Sequence, residues 1–163
     1  MDRFFEKISF KQFVKDICDD KNVYDNYILP KRGSKNSCGY DFIAIHDIII
    51  KPHEIIKIPT GYKVCMKNDE FLMLVVRSSM GFKYNVRMCN QVGIIDSDYY
   101  NNVDNEGHIW VALQNEGDRD YVINKGIAYA QGIFMKYLTC DDYVSKVRIG
   151  GIGSTNGKSD NNG

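Results

Sequence analysis

Ile48-Ile49-Ile50-Lys51-Pro52-His53-Glu54-Ile55-Ile56-Lys57-Ile58 sets two short runs of β-branched side chains on either side of a proline-containing break. Branching at Cβ narrows χ1 and suits the pleated, half-buried surface of a strand. Proline fixes φ and removes a ladder donor, so the break between the runs predicts a strand reversal. Working outward, Gly61 to Met66, Phe71 to Val76, Ile109 to Gln114, Asp120 to Ile123 and Gly132 to Tyr137 are further strand candidates. Short strands separated by turns roughly every eight to twelve residues predict an all-β sandwich, barrel or jelly roll. The connections are too short for the crossover helices that a parallel α/β sheet needs.

One helix is expected ahead of this region. Phe10, Phe13, Val14 and Ile17 recur with helical spacing, and Ser9 with Gln12 has the form of a capping box, so residues 9–18 read as a short amphipathic helix. Lys31 to Ser37 reads as a polar loop. From Gly150 to Gly163 the chain is mostly Gly, Ser, Asn and Lys with almost nothing to bury, which reads as a flexible terminus. The expected division is a β domain over 1–147 and a tail over 148–163.

At 163 residues the chain fits one domain, and a domain of that size buries roughly 70% of the surface its unfolded form exposes. The 44% apolar and 26% charged fractions, with 11 Tyr and 8 Phe, predict a packed, aromatic-rich core. Lys plus Arg balances Asp plus Glu at 21 each. That balance argues against polymeric DNA or RNA as a partner, which favours a basic excess. The cysteines, Cys18, Cys38, Cys65, Cys89 and Cys140, are odd in number and widely spaced, with no C-x-x-C pair, which fits a reducing cytoplasm. Charges interrupt every apolar run of the N-terminus, and no segment approaches the roughly 20 apolar residues of a membrane span. The expectation is a soluble protein without a secretory signal.

Three segments hold chemistry-bearing residues. Arg77-Ser78-Ser79-Met80-Gly81 follows an apolar strand and offers a guanidinium, two hydroxyls and an open backbone, all suited to phosphate oxygens. Taken alone it reads first as a serine-rich turn. In Asn90-Gln91-Val92-Gly93-Ile94-Ile95-Asp96-Ser97-Asp98-Tyr99, an apolar pair directly precedes a carboxylate. Asp96 then emerges at the rim of a pocket, where a carboxylate can orient and deprotonate water, or it ends a strand by capping a turn. Tyr99 also reads as a core aromatic. Gly150-Gly151-Ile152-Gly153-Ser154-Thr155, with Arg148 upstream, supplies amides and hydroxyls of the kind that form an anion nest. The chain contains neither a Walker lysine motif nor a dinucleotide G-x-G-x-x-G. Together these elements point to a small triphosphate ligand.

Five segments in order, from about Cys38 to Asn156, make the chain resemble the trimeric dUTPase family. Cys38-Gly39-Tyr40-Asp41-Phe42 is similar to the first family motif, A-G-x-D-L. Arg77 to Gly81 is similar to the second and Asn90 to Tyr99 to the third. Ala128-Tyr129-Ala130-Gln131 resembles R-x-A-Q, and Gly150 to Thr155 resembles G-G-F-G-S-T. The resemblance implies a distorted jelly-roll (β-clip) fold, a homotrimer with sites between subunits, and hydrolysis of dUTP to dUMP and pyrophosphate. That reaction keeps uracil out of DNA and supplies dUMP for dTMP synthesis.

By the same resemblance, Asp96 activates the water that attacks the α-phosphorus, and Tyr99 lies under the deoxyribose and excludes a ribose 2′-hydroxyl. Asn90 and the backbone from Gly93 through Ile95 to Asp96 read the uracil edge. Arg77, Ser78, Ser79, Gly81 and Gln131 hold phosphates. Asp41 faces the water shell of Mg²⁺, which the triphosphate oxygens hold in the main. Arg148, Ile152, Gly153, Ser154 and Thr155 belong to the tail that closes over a neighbouring subunit's nucleotide. His46, His53 and His108 read as surface loop residues without a role.

Departures from the family pattern are Ile152 for the stacking phenylalanine, Ala128 for the fourth motif's arginine, Val76 for a proline and Tyr100-Asn101 for x-Gly. Lys125 is a candidate replacement for the arginine, and Asn101 tolerates positive φ. Competing readings are a dCTP deaminase of the same fold, a regulatory protein with a decayed site, and a structural jelly-roll module. The Ile95 to Tyr99 segment favours the hydrolase, and a regulatory protein partner for an active enzyme stays open.

Overall fold

The computed structural model describes residues 3–141 and Val144. The strands in chain order are β1 Phe4–Lys7, β2 Lys31–Arg32, β3 Tyr40–Ile43, β4 Ile48–Ile50, β5 Ile55–Pro59, β6 Tyr62–Cys65, β7 Glu70–Val76, β8 Val86–Met88, β9 Gly93–Asp96, β10 Trp110–Asn115, β11 Tyr121–Ile123 and β12 Ala128–Lys136. Helices α1 Phe10–Asp16 and α2 Lys21–Asn26 follow β1, α3 Ser78–Tyr84 follows β7, and a 3₁₀ turn spans Ser97–Tyr99.

A five-stranded sheet ordered β2-β3-β12-β7-β9 faces a three-stranded sheet β5-β10-β8, with the pairs β1-β6 and β4-β11 at the margins. Every ladder is antiparallel. Alternation decides which face is buried: β7 turns Glu70, Leu72 and Leu74 inward, and β10 turns Val111, Leu113 and Asn115 inward. These side chains meet Phe42, Ile50, Tyr62 and Tyr129 in one core. Each fully buried leucine or isoleucine contributes about 1.5–3 kcal/mol. Glu70 is tolerated in that row because Arg3 closes on its carboxylate, with Nε donating to Oε2 at 2.6 Å.

The all-β expectation holds, and the strand candidates from Gly61 onward all fall on observed strands. The reversal at Lys51-Pro52-His53-Glu54 is a tight turn, with His53 at φ 64° and the Glu54 N–H donating to the Lys51 carbonyl at 3.1 Å. It does not make a hairpin, since β4 pairs with β11 and β5 pairs with β10. The turn moves the chain between sheets. Lys31 and Arg32, read as loop, form a short edge strand on β3.

The expected N-terminal helix is present as α1, and Ser9 caps it by accepting the Gln12 N–H at 3.1 Å. The return bond of the capping box comes from elsewhere: the Ser9 N–H donates to Glu106 at 2.9 Å, and the Gln12 amide donates to Asp16 at 2.6 Å. Helices α2 and α3 are additions to the single helix expected. Helix α2 is capped by Asp20 accepting the Val23 N–H. Ile8, Phe13 and Ile45 form a second small core under Tyr24 and Tyr27, which ties both N-terminal helices to the β body.

His46 and His53 are exposed as expected, but His108 is fully buried. Its Nε2 accepts the Gly61 N–H at 2.9 Å, so the ring proton sits on Nδ1 and donates to Asp16 Oδ2 at 2.6 Å. A buried ring saturated in this way is a core residue, which corrects the surface reading. Burial holds its pKa below the usual histidine value, opposed by the Asp16 carboxylate.

Candidate active site

The turn that carries the chain from β8, paired with β10, to β9, paired with β7, builds the first half of the site. The Gln91 N–H donates to the Met88 carbonyl at 3.2 Å, and Gln91 adopts φ 63°, which turns the chain and leaves Asn90 exposed at the tip. β9 then runs antiparallel to β7 with Gly93 opposite Leu74 and Asp96 opposite Phe71. A β-carbon on Gly93 would lie 3.1 Å from Leu74 Cβ, so glycine lets β9 seat closely on β7. Gly93→Ala is expected to cost about 1–3 kcal/mol of stability by overpacking, read as a lower denaturation midpoint.

A cavity of about 470 Å³ opens beside this turn and β9, and Asn90, Gly93, Ile95, Asp96 and Tyr99 all line it. Trp110 and Lys57 also line it. The volume lies within the range of pockets that take small ligands. Asp96 is exposed where β9 ends, while Tyr99 is 5% exposed. The Tyr99 hydroxyl donates to the His108 carbonyl and accepts from Asn105 Nδ2, both at 2.9 Å, which fixes the ring from its far end. Asn101 has φ 55°, as expected of an asparagine in the usual glycine position.

The second half lies on β3, β7 and β12. Register places Gln131 opposite Asp41, and Gln131 Nε2 donates to Asp41 Oδ1 at 2.9 Å. Arg77 Nε lies 3.8 Å from the same oxygen. Ser78 and Ser79 are exposed in the first turn of α3, and Gly81 has nothing within 4 Å of where a β-carbon would stand. Gly39, absent from the expected site, gives Gln131 its room, because a β-carbon there would meet Gln131 Cδ at 3.1 Å. The signal was present in the first motif's own glycine. Lys125, the candidate replacement for the fourth motif's arginine, borders a separate cavity with Tyr27, Ile45 and Tyr62.

The two halves do not meet within one chain. Asp96 pairs with Phe71 near the start of β7, and Arg77 follows its end. Six residues of extended strand separate the two positions by about 20 Å. One α-phosphate cannot touch both within a single copy. Arg148, Ile152, Gly153, Ser154 and Thr155 lie outside the described residues.

Among the described residues, no group of three or more His, Cys, Asp or Glu could hold a metal ion. Asp41, with one oxygen engaged by Gln131 and the other facing the Gly33 side, is a single carboxylate beside phosphate-suited groups. This donor set fits a hydrated Mg²⁺ that arrives on phosphate oxygens.

The dUTPase family model matches residues 25–155. The deoxyuridine 5'-triphosphate nucleotidohydrolase of Lactococcus lactis subsp. lactis (strain IL1403) is 43% identical over 130 residues, spanning 78% of this chain and 87% of that relative. Among solved structures, the dUTPase from Streptococcus mutans aligns with a TM-score of 0.68 at 37% identity, over 85% of this chain and 98% of that one. The dUTPase from phage phi11 of S. aureus gives a TM-score of 0.66 at 18% identity over 90% of this chain and 97% of that one, a likeness of fold. With a matching family model across most of its length and a relative this similar, the chain belongs to the dUTPase family.

Proposed function

We propose that the chain hydrolyses dUTP to dUMP and pyrophosphate as a homotrimer whose sites are assembled from more than one copy. The observation that carries this reading is that Asn90, Gly93, Ile95, Asp96 and Tyr99 line a common cavity. Uracil enters against the turn and β9, where Asn90 and the backbone of Gly93 to Ile95 offer hydrogen-bonding groups, and Tyr99 packs under the sugar. A ribose 2′-hydroxyl would press on that ring, and discrimination by lost fit and unpaired polar groups is effective in such a site.

Asp96 takes a proton from water as the water oxygen bonds to the α-phosphorus and the bond to the bridging oxygen breaks, releasing pyrophosphate. Arg77, Ser78, Ser79 and Gln131 of another copy hold the phosphates. Gln131 Nε2 has two protons and gives one to Asp41, which leaves the other for a phosphate oxygen. Asp41 faces the water shell of Mg²⁺, and the ion supplies charge neutralisation of the triphosphate when bound. The separation of about 20 Å between Asp96 and Arg77 along β7 supports the multi-copy site. Residues 148–163 act as a tail that closes over a neighbouring nucleotide.

The five free thiols suit a reducing compartment, the cytoplasm. Among the described residues, no helix is long and apolar enough to cross a membrane. Product analysis tests the bond that breaks: dUTP incubated with the protein and Mg²⁺ should give dUMP and pyrophosphate, and dUDP with inorganic phosphate would overturn the reading.

A further inference from the structure

The loop that leaves Tyr99 for β10 is tied to the N-terminal segment, which precedes the family motifs, and to β6. Ser9 donates its N–H to Glu106, Tyr100 donates its hydroxyl to Glu6 at 2.6 Å, and Lys63 donates to Asn101 Oδ1 at 2.8 Å. At the centre of this network is His108, fully buried, with its ring tilted on Trp110 at 5.4 Å between centroids. The ring is gripped at both nitrogens, by Gly61 from the body and by Asp16 from the last turn of α1. The carbonyl of the same residue accepts the Tyr99 hydroxyl, and Asn105 supplies that hydroxyl's second bond. Both nitrogens of this ring are occupied inside the protein, so neither is aimed at a ligand.

We infer that Asp16, His108 and Asn105 form a positioning network that sets the tilt of the Tyr99 ring, so that the N-terminal helix α1 helps to determine rejection of the ribose 2′-hydroxyl. This inference rests on the proposed role of Tyr99 under the sugar. The physical reason is leverage. Tyr99 is tethered by its hydroxyl, the tether is the His108 peptide, and that peptide is fixed by its own side chain. A side chain that discriminates one oxygen atom must be held to about half an ångström. Releasing Asp16 frees one end of the ring and lets the carbonyl, and with it the Tyr99 hydroxyl, drift.

The test compares binding of non-hydrolysable α,β-imido dUTP and α,β-imido UTP, read by the fluorescence of Trp110, the single tryptophan, which lines the cavity. Turnover of dUTP and UTP is measured alongside. In Asp16→Ala the preference for the deoxy nucleotide should fall by about tenfold to a hundredfold, the scale of a misplaced positioning group. Asp16→Asn keeps an oxygen to accept the Nδ1 proton and should restore most of the preference. On a Tyr99→Phe background the tether is gone, so Asp16→Ala should have little further effect.

A folded Asp16→Ala protein with the parent's preference overturns the inference, as do purely additive effects of the two substitutions. Should Asp16→Ala not fold, Asn105→Ala in the surface loop removes the second bond to the Tyr99 hydroxyl, and retained preference there overturns it equally. A parent that binds the dUTP analogue selectively but cleaves nothing refutes the hydrolase reading alone, since the binding ratios still decide the positioning role. A parent that binds neither analogue overturns both.

Discussion

Asp96→Asn is expected to yield a folded protein that binds α,β-imido dUTP as the parent does and turns over dUTP about 10²–10⁴-fold more slowly, the range for loss of a general base. Asp96 is exposed where β9 ends, so the substitution removes no core packing. The amide keeps the carboxylate's shape but has far less affinity for a proton. Loss should therefore fall on kcat, with KM nearly unchanged, because the interaction removed exists only as water is deprotonated. Steady-state kinetics with an unfolding curve on the same preparation separates this from a folding defect. Turnover within a few-fold of the parent would remove Asp96 from the chemistry.

The second large effect concerns assembly. Asp96→Asn and Arg77→Ala should each be nearly inactive alone, and trimers formed by refolding the two together should regain activity. With equal amounts of each, about a quarter of the sites should be intact, since each of the two contributing copies has an even chance of carrying the residue that site needs. The basis is the pairing of Asp96 with Phe71, about 20 Å along β7 from Arg77. If both residues served one site from one copy, no mixture could restore it. Absence of recovery in mixed trimers of confirmed composition would refute a shared site.

Much of this architecture is legible in the sequence, for physical reasons that also mark where reading fails. The Ile48 to Ile58 stretch yields both strands because β-branching is a local preference, yet it does not say that β4 pairs with β11 and β5 with β10. Strand partners depend on which faces meet across the core, and that is a tertiary matter. Helix α3 was hidden because Ser78-Ser79-Met80-Gly81 has turn composition, while its one inward residue, Met80, is 1% exposed and anchors the helix to the core. His108 was misread because imidazole is polar and lies among loop residues; its burial is made tolerable by Asp16, 92 positions earlier.

The site divides in the same way. Asn90 to Tyr99 is one continuous run of turn, strand β9 and 3₁₀ turn, so sequence adjacency carried those residues into one cavity. Asp41, Arg77 and Gln131 come from β3, the end of β7 and β12, and only the ladders between these strands bring them together. Family motifs named those residues, but the space that Gly39 leaves for the Gln131 amide is visible only in the fold.

The most direct measurement of the central claim is pyrophosphate release from dUTP, dTTP, dCTP and UTP with Mg²⁺ at neutral pH, comparing the parent with Asp96→Asn. Release confined to dUTP and slowed about 10²–10⁴-fold by the substitution is the predicted result. A folded trimer that cleaves none of the four, or an Asp96→Asn protein as active as the parent, would contradict it.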